Sequence, residues 1–126
     1  MNISHSETVS KLVKSGFSIK NSMTNEQAHL IHMTMGISGE AGELLDAIKK
    51  HVMYGKELDR ENIIEELGDL EFYMEGLRQG LGIKREDTIW HNINKLSVRY
   101  KDHNYSDEQA IARKDKVLDK SYPDDF

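Results

Sequence analysis

The chain has 126 residues, the length of one ordinary domain, and its 37% hydrophobic content supports a modest core. It contains no cysteine, which excludes disulfides and thiolate metal sites, and no apolar run long enough to span a membrane. The net charge of −5 argues against general nucleic-acid binding, and the N-terminal residues lack the apolar core of a signal peptide. We therefore expect a cytoplasmic protein that binds neither nucleic acid nor membrane.

Helical periodicity and capping signals predict an all-α, four-helix-bundle-like protein. We expect helices from Ser6 to Ser15, from Thr24 to about Val52, from Asp59 to near Gly80, over residues 83–100, and after Ser106. Thr24 with Gln27 and Ser106 with Gln109 have the spacing of capping boxes, and Asp59 is a good N-cap. We assign residues 1–105 to one all-α domain. Residues 106–126 then form a short C-terminal helix and a polar tail of the same domain.

The apolar residues of these helices recur at helical spacing, so each helix should bury one stripe. The residues expected to point inward are Val9, Leu12, Val13, Leu30, Met33, Ile37, Leu44, Leu45, Ile48, Val52, Ile63, Leu67, Leu70, Met74, Leu77, Ile89, Ile93 and Leu96. Because this core is small, we expect oligomerisation to complete it, in a homodimer or a homotetramer.

Two pairs of acidic residues border the stripes of the two longest helices. Glu40 and Glu43 are three residues apart on the first of these, and Glu66 and Asp69 have the same spacing on the second. If the two helices pack antiparallel, four carboxylates converge in a half-buried place and repel one another. A divalent cation relieves that repulsion. Hard oxygen ligands suit Mg²⁺, with Mn²⁺ as a substitute.

Other residues near this border have two interpretations each. Gly36 lies one turn before Glu40 and should leave a hollow for a ligand. His29 and His32 could bind metal or substrate, or could be ordinary polar groups at the end of the bundle. Tyr73 could contact a ligand or could be a core residue.

A basic segment follows the acidic one. Residues 40–75 carry eleven acidic and four basic side chains, whereas residues 78–105 carry six basic and three acidic ones. Asn92, Lys95 and Arg99 share one face of the fourth predicted helix. This face is either a solvated basic surface or a clamp for phosphate oxygens.

The segments "GEAGELLDAIKKH" and "EELGDLEFYMEGL" resemble the MazG-like, all-α nucleoside triphosphate pyrophosphohydrolases, whose signature is ExxE, a spacer, then ExxD. In this chain 22 residues separate Glu43 from Glu66. The resemblance covers about residues 24–105 and includes "NKLSVRY", which is similar to the basic helix of the family. It implies that Glu40, Glu43, Glu66 and Asp69 bind Mg²⁺. It also implies cleavage of NTP or dNTP between the α and β phosphates, in a bacterial enzyme or a phage enzyme acting in the host cytoplasm.

The resemblance has one departure. Many members begin the first motif with two consecutive glutamates, but here Gly39 precedes Glu40. Glu65, next to Glu66, is therefore a candidate for the role of the missing acid.

Two other classes of protein compete with this interpretation. A di-iron carboxylate bundle uses a Glu-x-x-His motif on each of two helices, and the chain does not have two such motifs. A non-enzymatic helical interaction or regulatory module stays open, because its acids would need only to keep it dissolved.

Overall fold

The computed structural model describes residues 2–113 and 115–116, in which every regular element is helical. The elements are α1 (His5–Leu12), α2 (Gly16–Ser22), α3 (Asn25–Tyr54), α4 (Arg60–Leu81), α5 (Arg85–Arg99), a 3₁₀ turn (Lys101–His103) and α6 (Asp107–Ala112). The all-α prediction is confirmed. No helix within the described ranges has the length and apolarity needed to cross a bilayer. The predicted polar tail at residues 121–126 lies outside the described residues.

The chain divides into two compact units, Met1–Gly80 and Leu81–Phe126. The first holds α1, α2, α3 and nearly all of α4. The second holds α5, the 3₁₀ turn and α6.

The long helices begin and end at residues whose chemistry explains the boundary. The amide of Gln27 donates to Thr24 Oγ1 at 3.1 Å, and the amide of Thr24 donates to Gln27 Oε1 at 2.9 Å, so the predicted capping box is confirmed. Gly55 ends α3 in the left-handed conformation, with φ of 65°, which costs glycine little. Asp59 caps α4 by accepting from the amide of Asn62 at 3.1 Å.

The N-terminal segment departs from prediction. The helix expected from Ser6 to Ser15 ends earlier, at Leu12. A second short helix, α2, was not predicted; Ser15 caps it by accepting from the amide of Ser18 at 3.0 Å. Gly16, which directly follows the predicted helix, is the first residue of α2. Val9, Leu12 and Val13, expected inward, are exposed.

Helices α3 and α4 form an antiparallel hairpin that three glycines allow to pack closely. A Cβ at Gly36 would overlap the ring of Tyr73, and one at Gly76 would overlap the sulfur of Met33. At Gly80, a Cβ would lie 2.7 Å from Cδ2 of His29. Side chains of one helix therefore fill the space that glycine leaves on the other. Later positions on α3 contact earlier positions on α4, as in an antiparallel pair.

The predicted core stripes are only partly covered. Met33 is buried, and Leu30, Ile37, Leu44, Ile63, Leu70, Met74 and Leu77 are half-buried. Four residues that we expected inward are exposed: Leu45, Ile48, Val52 and Leu67. Their stripes are wider than the contact between two helices, so the hairpin covers one edge of each stripe and leaves the other open.

The second unit packs α5 against the turn and α6. Ser106 caps α6 by accepting from the amide of Gln109 at 3.1 Å, as predicted. The Gln109 side chain, expected to complete a capping box, instead accepts from the amide of Lys101 at 3.1 Å. A cavity of about 360 Å³ is lined by Ile93, Leu96, Ser97, Tyr100, Asn104 and Tyr105. Ile89, Ile93 and Leu96, expected to anchor α5 in a core, are exposed.

Candidate functional site

Three of the four predicted carboxylates meet between α3 and α4. Glu40, Glu66 and Asp69 each offer one oxygen, and these oxygens all lie within 4.8 Å of one another. Glu66 is 9% exposed, Glu40 is half-buried and Asp69 is open to solvent. Because Glu66 and Asp69 are three residues apart, they share one side of α4, and the antiparallel hairpin places Glu40 opposite them. The predicted convergence is therefore found for these three residues.

The surroundings of Glu66 disfavour the charged form of its carboxyl group. Its pKa is raised to about 7, first by a hydrogen bond with Glu40, then by burial, then by the negative charges of Glu40, Glu43 and Asp69. Its Oε2 atom is buried and finds no hydrogen-bond partner in the described part of the chain. An acceptor left without a donor in a negative environment is costly unless a proton or a cation reaches it.

The fourth carboxylate, Glu43, stands apart. It lies three residues along α3 from Glu40, is exposed, and does not belong to the group of three. Its charge nonetheless raises the pKa of Glu66. Glu65, the candidate for the missing acid of the motif, is exposed.

The donor set fits a hard divalent cation. The cluster contains carboxylate oxygens alone, from a half-buried, a buried and an exposed side chain. Mg²⁺ and Mn²⁺ prefer such ligands and commonly keep waters in their remaining positions. The orphaned Glu66 Oε2 gives the cluster an atom that such an ion would satisfy.

Tyr73 occupies the space that was expected to be a hollow at Gly36. The ring of Tyr73 lies directly against Gly36, so the prediction of a hollow there is wrong. The same ring makes edge contacts with His32, at 6.2 Å between centroids, and with Phe72, at 5.1 Å. Gly36, His32 and Tyr73 thus form one packed group within the hairpin.

His29 has a packing partner at the other end of the hairpin. Its Nε2 lies 2.8 Å from the carbonyl oxygen of Gly76 and must carry a proton to donate there. This contact favours the structural interpretation of His29 over the ligand one. His29 is also the histidine of the one Glu-x-x-His sequence in the chain, Glu26 to His29, and the contact with Gly76 occupies one of its ring nitrogens.

Arg78 is a charged residue that the sequence reasoning did not single out. Its guanidinium is buried and donates twice to Glu75, from Nε at 3.1 Å and from Nη2 at 3.0 Å. Glu71 lies 3.9 Å from the same Nη2. The signal in the sequence was a run of acids at helical spacing before one arginine, which predicts an ion pair along a helix.

In the second unit, Arg99 is held by a residue that no pattern pointed to. Its Nε donates to Asp115 Oδ1 at 2.9 Å and its Nη2 to Oδ2 at 3.3 Å. Asp115 is 7% exposed, and the hydrogen bond from Arg99 lowers the pKa of its carboxyl group. On the same helix Asn92 is exposed and Lys95 is half-buried.

Comparison with known proteins identifies the family to which this chain is similar. Residues 27–103, more than half of the chain, match the family model described as the MazG nucleotide pyrophosphohydrolase domain. A curated relative, the Gene 37 protein of Mycobacterium phage L5, is 33% identical over 75 residues, which is 56% of this chain and 65% of the relative. The chain therefore spans just under two thirds of that relative's length. No solved structure matches the chain.

Proposed function

The chain belongs to the MazG nucleotide pyrophosphohydrolase family, and from that premise we propose that it hydrolyses nucleoside triphosphates between the α and β phosphates. The products are then a nucleoside monophosphate and pyrophosphate. The deoxynucleotides are the favoured substrates, and the role is control of a cytoplasmic nucleotide pool, in a bacterium or in a phage-infected host.

The observation that carries the proposal is the carboxylate cluster. Three carboxylate oxygens of Glu40, Glu66 and Asp69 within 4.8 Å, one of them from a buried and strained Glu66, form an arrangement suited to a divalent cation. Glu43 is the fourth proposed ligand, and it is an exposed side chain three residues along α3 from Glu40. Mg²⁺ is the proposed ion, and Mn²⁺ is its substitute.

When bound, a divalent ion supplies a Lewis acid for the phosphate oxygens and a water acidified enough to act as nucleophile at the α phosphorus. The four carboxylates hold the charge that makes this binding favourable. Lys95 and Arg99 are the proposed contacts to the β and γ phosphates, with Asn92 as a neutral donor on the same face. His32 and Tyr73 are proposed to contact the nucleoside. His29 and Gly36 are proposed to contribute to the same substrate-binding surface through the residues that pack against them.

We further propose a homodimer or homotetramer, built on the outer face of α3. Ile31, Met35, Leu45, Val52 and Met53 follow one face of that helix and are between 51% and 71% exposed. Gly39 and Gly42 lie among them, and a Cβ at either would meet nothing within 4 Å of the described chain. Exposed apolar side chains beside small residues suit close packing against a second copy.

The test of the activity is a panel of NTPs and dNTPs incubated with Mg²⁺, with monophosphate, pyrophosphate and orthophosphate read separately. We expect equal amounts of monophosphate and pyrophosphate, and none from the Glu66→Gln variant. Release of orthophosphate with a diphosphate left behind would refute α–β cleavage. A chain that hydrolyses nothing and gains no thermal stability from Mg²⁺ would be an interaction module.

A further inference from the structure

Arg99 presents only part of its hydrogen-bonding capacity to Asp115. A guanidinium has five N–H groups in one plane. Two of them, on the edge formed by Nε and Nη2, point at the two oxygens of Asp115. The other three, two on Nη1 and one on Nη2, point away from that carboxylate. The edge formed by Nη1 and Nη2 is the one that matches two oxygens of a phosphate end-on.

Asp115 is built to hold this orientation. It is 7% exposed and faces the guanidinium with both oxygens, while the Arg99 side chain is 18% exposed. Two charge-assisted bonds fix both the position and the plane of the guanidinium, whereas one bond would leave it free to rotate. A long side chain held this way has already lost much of the rotamer freedom that it would otherwise lose on binding a phosphate.

The contact involves a residue outside the part of the chain that matches the family model. Asp115 lies beyond residues 27–103, which that match covers. It is sixteen positions from Arg99 and reaches it because the turn and α6 fold back on α5.

We propose that Asp115 is a positioning residue, which orients Arg99 so that the edge formed by Nη1 and Nη2 receives the β and γ phosphates of the substrate. The proposal rests on the proposed function of Arg99 as a phosphate contact. Asp115 itself does not touch the substrate. Its carboxylate neutralises one side of the guanidinium and aims the other.

The experiment measures binding of inorganic tripolyphosphate with Mg²⁺ by calorimetry, alongside KM and kcat for a deoxynucleoside triphosphate. Asp115→Asn keeps the size of the side chain but removes its charge and one of its two acceptors. Asp102→Asn is the matched control, because it removes the same charge from an exposed residue of the same unit whose φ of 60° asparagine tolerates. Asp115→Glu keeps the charge and shifts its position.

We expect Asp115→Asn to weaken tripolyphosphate binding by roughly three- to tenfold, the scale of immobilising one rotamer-rich side chain. The KM should rise by a similar factor. Asp115→Glu should show a smaller loss, and Asp102→Asn none. In an Arg99→Ala background, Asp115→Asn should have no further effect on phosphate affinity, because Asp115 acts through Arg99.

Three results would overturn the proposal. A lowered melting temperature with unchanged phosphate affinity would make Asp115 a structural clip only. Tighter phosphate binding by Asp115→Asn would make it a competitor for Arg99. A wild-type chain that does not bind tripolyphosphate with Mg²⁺ would leave Arg99 without the ligand that Asp115 is proposed to serve. Binding without hydrolysis of any NTP, in contrast, would refute the proposed activity and leave the positioning role standing.

Discussion

Glu40 and Glu66 face each other across the α3–α4 hairpin, with a carboxylate oxygen of one within 4.8 Å of a carboxylate oxygen of the other. Hydrogen bonding to Glu40 is the largest cause of the raised pKa of Glu66, ahead of burial and the charges nearby. With a pKa of about 7, Glu66 is protonated for about half of the time at neutral pH. Protons and divalent cations compete for the same oxygen atoms, and this competition can be measured.

The first prediction concerns the carboxylates themselves. Glu40→Gln, Glu43→Gln, Glu66→Gln and Asp69→Asn should each abolish most turnover, because each removes a proposed ligand charge. Without metal, the same variants should be as stable as the wild type or more stable, because like-charge repulsion is relieved. Thermal melting with and without Mg²⁺, beside an assay of pyrophosphate release, measures both effects.

Glu57→Gln is a matched control for these variants, since Glu57 is exposed in the loop between α3 and α4. It should change neither turnover nor the stabilisation by Mg²⁺. Near-normal turnover in any two of the four ligand variants would rule out the four-carboxylate site. Glu43 is the most informative of them, because it stands outside the cluster of three.

The second prediction is a pH dependence of the metal-free protein. The pKa of Glu66 is raised from 4.5 to about 7 in the folded state, so between these values the folded chain binds more protons than the unfolded chain. The free energy of unfolding should then fall as pH rises from 4.5 to about 7, and this loss should be complete above that range. Mg²⁺ affinity should rise over the same interval.

Other groups titrate in this range, so the quantity to compare is the difference in melting temperature between Glu66→Gln and the wild type, in EDTA. This difference should be small at about pH 5 and should grow until about pH 8. A difference that stays constant with pH would show that Glu66 titrates normally and that the cluster is not strained.

The third prediction separates two kinds of glycine on α3. Gly36→Ala should destabilise the protein by roughly 1–3 kcal/mol, because the new methyl group would overlap the Tyr73 ring. A second substitution, Tyr73→Leu, should recover part of the loss by making room. Urea unfolding of the two variants gives the free energies of unfolding directly.

Gly39→Ala and Gly42→Ala form the contrasting pair. Within one described chain their methyl groups would meet nothing within 4 Å, so helix propensity alone would stabilise an isolated chain by about 1 kcal/mol. If the outer face of α3 packs against a second copy, the same substitutions should weaken the oligomer instead. A rise in melting temperature with unchanged mass would count against this interface.

The fourth prediction addresses assembly. Light scattering at micromolar concentration should give the mass of a dimer or a tetramer. Leu45→Glu places a charge on the exposed apolar face of α3 and should shift the mass toward the monomer. Glu43→Gln on the neighbouring face is the control and should leave the mass unchanged. A fully active wild-type monomer would refute the assembly.

Much of the fold was predictable because local chemistry determined it. Thr24 and Asp59 cap the two long helices as their side chains and spacing require. The short α2 was missed, since seven residues are too few for a periodic pattern and Gly16 also fits the end of a helix. The inward positions of Leu45 and Leu67 were wrong because periodicity locates an apolar stripe without saying which part of it one chain can cover.

The site was predictable to the extent that it depends on helical spacing. Spacing placed Glu66 and Asp69 on one side of α4, and an antiparallel partner brought Glu40 to them. Spacing could not show that Tyr73 fills the space at Gly36, because that contact joins two helices. The Arg99–Asp115 pair was out of reach for the same reason, as no local pattern relates residues so far apart.

The last prediction concerns the basic face of α5. Arg99→Ala should lower kcat/KM by roughly 10²–10³, the scale of losing one strong charge-assisted contact to the phosphates. Arg99→Lys should recover only part, because the planar fork is lost. Arg99→Ala also leaves the buried Asp115 unpaired, which destabilises the chain. The double variant Arg99→Ala with Asp115→Asn removes that charge, and we expect it to restore melting temperature without restoring turnover. Lys101→Ala, an exposed cation two residues on, is the control and should change little. Equal, small losses in Arg99→Ala and Lys101→Ala would mean that this face carries only solvated charge.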